Sequence, residues 1–428
     1  MGNLKGLTTK RLLPDSLQRL LPRRFDRWKI HSKIVLPCLA MTIFLNTLYG
    51  IFWGRFSFKR SKFIISKPVA VYSILVGSSF AVYYVLQVYE EFNSGRITSR
   101  DTIKIYCYMN VCICLLNYVT QWAITGPVVR FQNSVPLFPV ANELDVSMMM
   151  VWRALLHCGL KMMVCPLIVY VTLVLYQHRA HPDMEWTIIA SIRTMLPLII
   201  SNQVNNCFFG GLVIANLIVA GINRRIRCIV SEANMLQTPL QMALQKPYYR
   251  MQRFCELADS LDELALKYVV TASCSKGYLR FTDWSMIVSM VMNLIGITVG
   301  FYNQYLAIAD YYINEEEPYD LYQAIVHLVF LSVPFMELIL VSRISSQMLQ
   351  ETKTTGDILQ RIDLQHADVR FKQVVDSFWL QVSTLDYKLM PLGLLELNSS
   401  LVNTVFSAVT GFLLILIQSD LTLRFSLK

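Results

Sequence analysis

Eight long apolar segments dominate the sequence and limit what the chain can fold into. They cover roughly residues 34–53, 68–89, 103–129, 148–176, 186–222, 284–309, 321–341 and 394–418. A helix of about 20 apolar residues crosses the roughly 30 Å hydrocarbon layer of a bilayer, and each segment reaches about that length. Of the 428 residues, 54% are hydrophobic and 16% are charged, which is far from the composition of a soluble domain. We therefore expect one all-α integral membrane domain.

Basic residues are distributed unevenly between the loops, and this asymmetry indicates an orientation. The chain has 39 Lys and Arg against 29 Asp and Glu. Such an excess occurs in nucleic-acid-binding proteins, but membrane proteins collect basic residues in cytoplasmic loops, so we expect no nucleic-acid partner. If residues 1–33, 54–67, 130–147, 223–283 and 342–393 are cytoplasmic, they hold about 30 of the 39 basic residues. The outer segments then hold about five.

The first apolar segment decides the number of spans. If residues 34–53 cross the bilayer, the basic residues of 54–67 lie on the opposite side from the basic N-terminus. If this segment is an interfacial or re-entrant helix, both basic stretches stay inside and seven spans remain. The charge distribution favours the second arrangement, with a cytoplasmic N-terminus and an extracellular C-terminus. A G-protein-coupled receptor has the opposite orientation, and neither its D-R-Y nor its N-P-x-x-Y sequence occurs here.

The sequence carries no pattern typical of an enzyme, a metal site or a disulfide framework. It contains no phosphate-binding glycine loop, no H-E-x-x-H and no nucleophile elbow. Most of its ten cysteines lie in apolar segments, and Cys112 and Cys114 lack the further ligands that zinc needs. The first 33 residues are basic and Leu-rich, without the apolar core of a cleavable signal peptide. We expect a protein that is not an enzyme and needs no cofactor or metal.

The last apolar segment contains a polar residue at an unusual place. Gln418 directly follows five aliphatic residues, whereas polar residues at membrane depth usually face protein or a pathway. A plain final helix with Gln418 capping its end at the membrane interface is the simpler interpretation. The stretch Gly411-Phe412-Leu413-Leu414-Ile415-Leu416-Ile417-Gln418-Ser419 resembles the T-Y-h-h-h-h-h-Q-F signature of insect gustatory receptors, in which h is a hydrophobic residue.

The resemblance to this family is partial in its residues and extends over the layout of the chain. Five hydrophobic residues and Gln418 agree, while Gly411 replaces the Thr, Phe412 the Tyr and Ser419 the Phe. Residues 393–401, G-L-L-E-L-N-S-S-L, resemble the family's G-L-F-x-L-(D/N)-x-x-L stretch. Insect gustatory and odorant receptors also have seven spans and a cytoplasmic N-terminus, which is the arrangement expected here.

The resemblance implies a ligand-gated, non-selective cation channel in which the last spans of four subunits line a central pore. At the matching positions, Ile415 would form a hydrophobic constriction that closes by dewetting. Gln418 would form a polar ring that a partly hydrated cation passes. Ser419 stands where the family has an apolar residue, which leaves the hydrophobic seal one-sided. The three side chains share one helical face because Gln418 and Ser419 follow Ile415 by three and four residues.

Two loops contain the apolar period of amphipathic helices. In residues 223–283 the spacing is 3, 4, 3, 4, and residues 342–393 repeat the pattern. The residues are Phe254, Leu257, Leu261, Leu264 and Tyr268 in the first loop, and Phe371, Val375, Phe378, Val382 and Leu385 in the second. Such seams pack either within one subunit or between subunits. The resemblance implies that they belong to an anchor domain below the membrane that holds four subunits together.

Polar and aromatic residues in the outer halves of the spans are candidates for ligand contact. They are Tyr83, Gln87, Tyr106, Asn110, Arg193, Tyr302, Gln304, Tyr322 and His327. Tyrosines near membrane interfaces commonly form an anchoring belt, whereas Arg193 and His327 are costly at that depth unless they are paired or face water. An aromatic pocket with a few polar groups suits a small organic ligand. The resemblance implies such a pocket in the outer half of the bundle.

Three further groups of polar residues can be explained by structural roles as well as by functional ones. Asn202, Gln203, Asn205 and Asn206, next to Gly210 and Gly211, favour helix-to-helix hydrogen bonds and close packing. Arg153, His157 and Lys161 share one helix face, where snorkelling toward the inner headgroups is the expected behaviour. The predicted external loop with Asp310, Glu315, Glu316, Glu317 and Asp320 is either a solvated loop or an electrostatic funnel for cations.

The resemblance therefore implies a gustatory receptor subunit in the plasma membrane of sensory neurons. Its expected partners are a small-molecule tastant, monovalent and divalent cations as permeants, membrane lipid, and further subunits in a homo- or heterotetramer. Bitter or other aversive tastants are the expected ligands. A sugar or other nutrient receptor, an odorant-receptor relative and a membrane transporter are the alternatives, and a transporter would need internal repeats that are not evident here.

The chain is expected to divide into four parts. Residues 1–67 would form a basic cytoplasmic N-terminus with the interfacial or re-entrant helix. Residues 68–341 would form a six-helix ligand-binding bundle that includes the cytoplasmic loop 223–283. Residues 342–393 would form anchor helices, and residues 394–428 the pore-lining span with a short external C-terminus.

Overall fold

The computed structural model describes residues 41–57, 62–94, 101–134, 146–180, 184–314, 319–385 and 387–426. Predictions for residues 1–40 and for Glu315, Glu316 and Glu317 lie outside this part of the chain. The described elements are, in chain order, α1 (41–48), β1 (Gly54–Ser57), β2 (Lys62–Ile65), α2 (Lys67–Asn93), α3 (Thr102–Ser134), α4 (Met148–Gly159), α5 (Cys165–Ala180), α6 (Met184–Leu236), α7 (Pro239–Leu244), α8 (Pro247–Leu279), α9 (Asp283–Asn314), α10 (Leu321–Gln360), α11 (Val369–Thr384) and α12 (Ser400–Ser426).

Within the described part of the chain, seven helical stretches are long and apolar enough to cross a membrane. They are α2, α3, α4 continued into α5, α6, α9, α10 and α12. A π-helical turn, Leu160–Val164, joins α4 to α5 without ending the helix. These stretches coincide with the last seven of the eight apolar segments, so the prediction of an all-α membrane protein with seven spans is confirmed.

The first apolar segment has a different structure over its described part. The described part of helix α1 covers eight residues, 41–48. Beyond it the chain turns at Gly50, whose φ of +70° favours glycine and whose added Cβ would lie 3.0 Å from the Ser73 carbonyl. The antiparallel hairpin of β1 and β2 follows. The described residues of this segment thus form the last two turns of a helix and a turn at Gly50.

Aromatic side chains of the bundle hold this turn in place. The Trp122 indole donates to the Gly50 carbonyl at 3.0 Å, and the Tyr118 hydroxyl donates to the Tyr49 carbonyl at 2.8 Å. From α2, the Tyr72 hydroxyl donates to the Leu48 carbonyl at 2.8 Å. The turn is therefore part of the packed bundle.

Helix α6 is the central element of the fold. Its 53 residues span about 80 Å at 1.5 Å per residue, more than twice the thickness of the hydrocarbon layer. Ile218, Val219, Ile222 and Ile226 are fully buried, as expected of a helix that is covered on all sides. Helix α10, with 40 residues, runs alongside it, so both helices continue beyond the membrane.

The two predicted amphipathic seams face each other beyond the spans. All five seam residues of α8 are buried, as are Phe371, Val375 and Phe378 of α11. The rings of Phe254 and Phe371 lie 5.5 Å apart, and those of Tyr268 and Phe378 lie 5.7 Å apart. The seams therefore pack against each other within one chain, which realises the first of the two arrangements considered from the sequence.

Replacing Phe371 by Ala tests the packing of these two helices. Phe371 is completely buried against Phe254, and deletion of a buried aromatic side chain costs about 3–5 kcal/mol. We expect Phe371→Ala to lower the thermal unfolding temperature of the purified protein and its amount at the cell surface. Trp379→Ala, at an exposed aromatic position of the same helix, is the control and should behave like the parent. Equal losses in both variants would contradict this description of the seam.

Candidate pore helix and ligand-binding bundle

The last helix, α12, has one packed face and one open face. Leu401 and Val409 are buried, and Val405 packs against the same core. The opposite face carries a row of exposed residues at helical spacing, here called the α12 stripe: Thr404, Ser407, Gly411, Ile415, Gln418 and Thr422. Five of the six are small or polar, and Ile415, with 62% of its surface exposed, is the apolar exception. Such a surface is unlike that of a lipid-facing helix.

All of the predicted pore residues lie on or beside this stripe. Ile415 and Gln418 belong to it, and the exposed Ser419 lies next to it. The predicted signature residues Gly411 and Phe412 are also exposed. Helix α12 continues to Ser426, so Gln418 lies two turns inside the helix. The interpretation of Gln418 as a cap at the end of the last helix is therefore wrong.

The connection into α12 is fixed by buried residues and backbone hydrogen bonds. The buried Tyr387 donates its hydroxyl to Ser275 Oγ of α8 at 2.7 Å. The amide of Leu397 donates to the Leu389 carbonyl at 2.8 Å, and both side chains are buried. At the helix start, Asn398 Oδ1 accepts from the amide of Ser400 at 2.9 Å. The Asn of the family-like stretch 393–401 thus acts as a helix cap.

The C-terminal end of α12 is held by ion pairs between side chains. Arg424 donates to Asp310 of α9 at 2.8 Å and to Asp420 of its own helix at 2.7 Å. The Tyr305 hydroxyl donates to the same Asp420 at 3.1 Å. All three charged side chains are less than one-fifth exposed, and at such sites ion pairs are screened less by salt than on an open surface. Helix α12 is therefore attached to the bundle at both ends.

Arginines neutralise the described members of the predicted acidic cluster. Asp310 pairs with Arg424, and Asp320 pairs with Arg179 of α5 at 2.6 Å. Asp320 also caps α10 by accepting from the amide of Gln323 at 3.2 Å. These contacts lower the negative charge that the two carboxylates offer to a passing cation.

Two of the predicted ligand residues hold helices together. Tyr106 of α3 donates to Asn293 Oδ1 of α9 at 2.7 Å. Asn110, one turn later, accepts from Ser201 of α6 at 2.7 Å. Both residues are buried. Their polar groups therefore already have partners in this structure.

The candidates on α2 and α6 form a second group nearer the outside of the bundle. Gln87 donates to the Tyr108 hydroxyl at 3.1 Å and to Glu91 at 3.2 Å. Tyr83 is exposed, and the neighbouring Tyr84 donates to the Arg193 carbonyl at 2.7 Å. The Arg193 side chain is exposed. The arginine at this position thus projects away from the packed core.

Tyr322 and His327 lie close to two residues of α5, Tyr176 and Arg179, that were not predicted from the sequence. The Tyr176 ring lies 5.7 Å from that of His327, and the Arg179 guanidinium lies 5.7 Å from the Tyr322 ring. A cleft of about 180 Å³ lies between α5 and α10, lined by Leu175, Tyr176, Arg179, Tyr322, Gln323 and Val326. We call it the outer cleft. Tyr176 and Arg179 are three residues apart at the end of a span, so they lie on the same helix face. This spacing could have identified them as candidates for ligand contact.

The remaining two candidates lie on α9. Tyr302 stacks on Tyr305 with 6.0 Å between ring centres, beside the Arg424 ion cluster, and Gln304 is half-buried. The nine candidates therefore occupy four separate places, of which the outer cleft is one.

A buried ion pair inside the bundle was not predicted. Lys161, in the π-helical turn, is 2% exposed, and its Nζ lies 3.7 Å from Glu337 Oε2 of α10. Asn202 of α6 donates to the other oxygen of Glu337 at 3.3 Å, and the Phe209 ring lies 5.8 Å from Nζ. The prediction that Lys161 snorkels toward the headgroups is therefore wrong. Glu337 was recognisable as the single carboxylate within the apolar segment 321–341.

The asparagine-rich part of α6 hydrogen-bonds neighbouring helices. Asn202 reaches Glu337 of α10, Asn205 donates to Ser289 of α9 at 2.9 Å, and Gln203 donates to the Thr42 carbonyl at 3.4 Å. The predicted helix-to-helix hydrogen bonding is confirmed for these three residues. The close packing predicted at Gly210 and Gly211 is wrong, since an added Cβ would meet no atom nearer than 3.6 Å and 3.7 Å, respectively.

Comparison with known proteins identifies the family. A sequence profile of 7tm chemosensory receptors matches residues 37–423. The chain belongs to this family. It is 64% identical over 418 residues to gustatory receptor 97a of Drosophila melanogaster, whose name marks its function as inferred, and the alignment covers 98% of each protein. It is 24% identical over 216 residues, 50% of this chain and 49% of the other, to the Drosophila melanogaster gustatory receptor for bitter taste 93a.

The fold of this chemosensory receptor is shared with a solved structure. The insect olfactory receptor OR5 from Machilis hrabei, in complex with eugenol, superimposes with a TM-score of 0.59 at 12% identity. The match covers 91% of this chain and 99% of that one. The resemblance to insect gustatory receptors, the multi-pass membrane location and the expectation of a receptor rather than an enzyme are confirmed by these findings.

The buried ion pair of this chemosensory receptor can be tested by removing one partner and then both. Lys161→Met leaves Glu337 buried without its cation, which costs about 3–5 kcal/mol. We expect a large loss of surface expression and of thermal stability in detergent. Adding Glu337→Met removes the orphaned charge, and we expect the double variant to recover most of both. A double variant no more stable than Lys161→Met would contradict the pairing.

Proposed function

We propose that the chain is a gustatory receptor subunit that acts as a ligand-gated, non-selective cation channel. The observation that carries this proposal is the α12 stripe, which faces away from the chain's own bundle. Polar side chains at membrane depth face protein or water. If four copies of α12 surrounded a common axis, each stripe would face the neighbouring copies of α12 and the water of a central pore. The four subunits would form a homotetramer or a heterotetramer with related subunits.

The proposed gate is the apolar position within that polar stripe. A ring of Ile415 side chains would expel water from the closed pore, because narrow hydrophobic constrictions dewet. Gln418, one turn further along, would offer its amide oxygens to a partly hydrated cation. Ser419 beside it supplies a hydroxyl instead of a second apolar ring. We infer that closure depends on Ile415 alone.

The proposed orientation places α8, α11 and the adjoining ends of α6 and α10 in the cytoplasm. These elements carry many of the basic residues, which agrees with the preference for positive charge inside. The outer cleft and the Arg424 ion cluster would then face the exterior, together with the C-terminus. In sensory neurons this arrangement exposes the outer cleft to dissolved tastants.

Bitter or aversive compounds are the proposed ligand class. Support comes from the relative named for bitter taste, with which the chain shares 24% identity over 216 residues. The outer cleft offers aromatic rings and one guanidinium within about 180 Å³, which suits a small organic molecule with a polar group. Such a ligand gates the pore only if it binds the open state more tightly than the closed state.

The gate assignment predicts a leak when the constriction is widened. Ile415→Ala removes three carbon atoms from each subunit at the proposed dewetting ring. We expect the basal cation current of cells expressing this variant to rise at least severalfold over the parent. Leu416→Ala makes a similar truncation on the half-buried side of α12 and is the matched control, with no such rise expected.

A second substitution connects the leak to Gln418. In the Ile415→Ala background, Gln418→Leu restores an apolar ring one turn away and should bring the leak back toward the parent level. Surface biotinylation establishes that all variants reach the membrane. Unchanged basal current in Ile415→Ala at normal surface levels would contradict the gate assignment.

The ligand class is tested by applying a panel of bitter compounds and sugars to cells that express the chain alone. We expect an inward, weakly selective cation current with at least one bitter compound and none with the sugars. A current evoked by sugars would reject the bitter assignment while keeping the channel. Ligand-dependent solute uptake without current would reject the channel in favour of a transporter.

A further inference from the structure

The bundle contains a cavity at the end opposite the outer cleft. Its volume is about 210 Å³, and we call it the inner cavity. It is lined by α1, β2, the C-terminal third of α3, α4, the middle of α6 and the last turns of α8. The outer cleft lies between the end of α5 and the start of α10, whereas the inner cavity lies beside the last turns of α3 and α8. None of the nine ligand candidates from the sequence lines the inner cavity.

Two glycines of α6 create part of this space. Gly210 and Gly211 both line the cavity, and an added Cβ at either position would be in ordinary contact with Met162 or Tyr278. A helix with glycine in its interior is less stable than one with alanine at the same position. The two glycines are therefore expected to have a specific role. Close helix packing is not that role here, because both positions have room for a Cβ atom.

The wall of the cavity is mainly aromatic and aliphatic. Phe52, Phe63, Phe131, Phe208, Tyr278 and Phe281 contribute rings. A cavity of about 150 Å³ lined by apolar side chains stays dry and binds benzene. The inner cavity is larger, so an aromatic compound with two fused rings fits its dimensions. If the cavity were empty, the residues that line it would have no dispersion contacts on the side that faces the cavity.

Two glutamines of the wall have a side-chain oxygen that accepts no hydrogen bond among the described residues, Gln121 and Gln132, and the Gln132 oxygen is buried. The Gln121 oxygen is the one considered for a ligand. Gln121 of α3 is 9% exposed and lines the cavity. Its amide nitrogen donates to the Phe281 carbonyl at 3.0 Å. Among the hydrogen bonds of the described residues, none uses its side-chain carbonyl. This oxygen is a hydrogen-bond acceptor, so it matches a molecule with one donor group.

We propose that the inner cavity is a second ligand site, which takes a small apolar aromatic molecule bearing one hydroxyl or similar donor. The rings of the wall hold the apolar body, and the Gln121 carbonyl accepts the hydrogen bond. Such a molecule concentrates in the bilayer, where the half-open cavity lies among the spans. The site is separate from the outer cleft and does not depend on the proposed channel function.

The probe for this site is 1-naphthol, which has two fused rings and one hydroxyl. We expect tritiated 1-naphthol to bind the purified full-length protein saturably, with about one site per chain. Gly211→Leu fills the cavity and should weaken binding at least tenfold. Gly126→Leu is the matched control, because Gly126 is also a helical glycine with no neighbour within 4 Å and does not line the cavity. It should bind like the parent.

A second comparison tests the role of Gln121. Naphthalene lacks the donor, so the parent should prefer 1-naphthol, and Gln121→Met should lose that preference while still binding naphthalene. Size-exclusion profiles and unfolding temperatures verify that each variant is folded. A photoreactive diazirine analogue of 1-naphthol locates the site on the parent without any substitution, with labels expected on α3 and α6 residues of the cavity.

Three results would overturn the proposal. They are an absence of saturable 1-naphthol binding to the parent, equal binding by Gly211→Leu and Gly126→Leu, and photolabels confined to the outer cleft or to lipid-facing residues. Because the assay measures binding and not current, a failure here leaves the channel proposal intact. A failure of the channel proposal likewise leaves this site intact.

Discussion

The need to satisfy polar groups inside a bilayer governs this structure. Lipid offers no hydrogen bonds, so a polar side chain within a span must find a partner in the protein or in trapped water. In the bundle these partners come from neighbouring helices, as in the pairs Tyr106–Asn293, Asn110–Ser201 and Asn205–Ser289. Each pair joins two spans, and α3, α6 and α9 each take part in two of the three. The three hydrogen bonds therefore connect these helices to one another in a closed set.

The same constraint shapes how a ligand can act. Tyr106 and Asn110 are already hydrogen-bonded between helices, so a ligand that uses them must replace those bonds and thereby changes how α3 sits against α6 and α9. The outer cleft differs, because it is open and its residues Arg179 and Tyr322 are partly exposed. A ligand bound there would gain contacts without replacing hydrogen bonds between helices. The two sets of residues would therefore respond differently to a bound ligand.

Sequence reasoning succeeded where one-dimensional patterns carry the information. Apolar length identified the seven spans, and the 3, 4, 3, 4 spacing identified the seam that Phe254 and Tyr268 form with α11. It failed for Lys161 because a basic residue near a predicted span end has two outcomes, headgroup or buried partner. The choice depends on Glu337, which is 176 positions away in the chain and becomes a neighbour only through the fold. Cavities are hidden from sequence for the same reason, since Gly210 and Gly211 are compatible with close packing as well as with open space.

The attachments of α12 restrict how a pore built from it could open. Near its start the helix is held by the Asn398 cap and by Ser342, which donates to the Asn398 carbonyl. Near its end it is held by Arg424 between Asp310 and Asp420. Ile415 and Gln418 lie between these points on the open face. A helix fixed at both ends widens a pore either by bending between them or by carrying its neighbours along. Because Arg424 connects α12 directly to α9, which also holds Tyr106 through Asn293, the second motion would link the proposed ligand-binding bundle to the proposed gate through contacts already present.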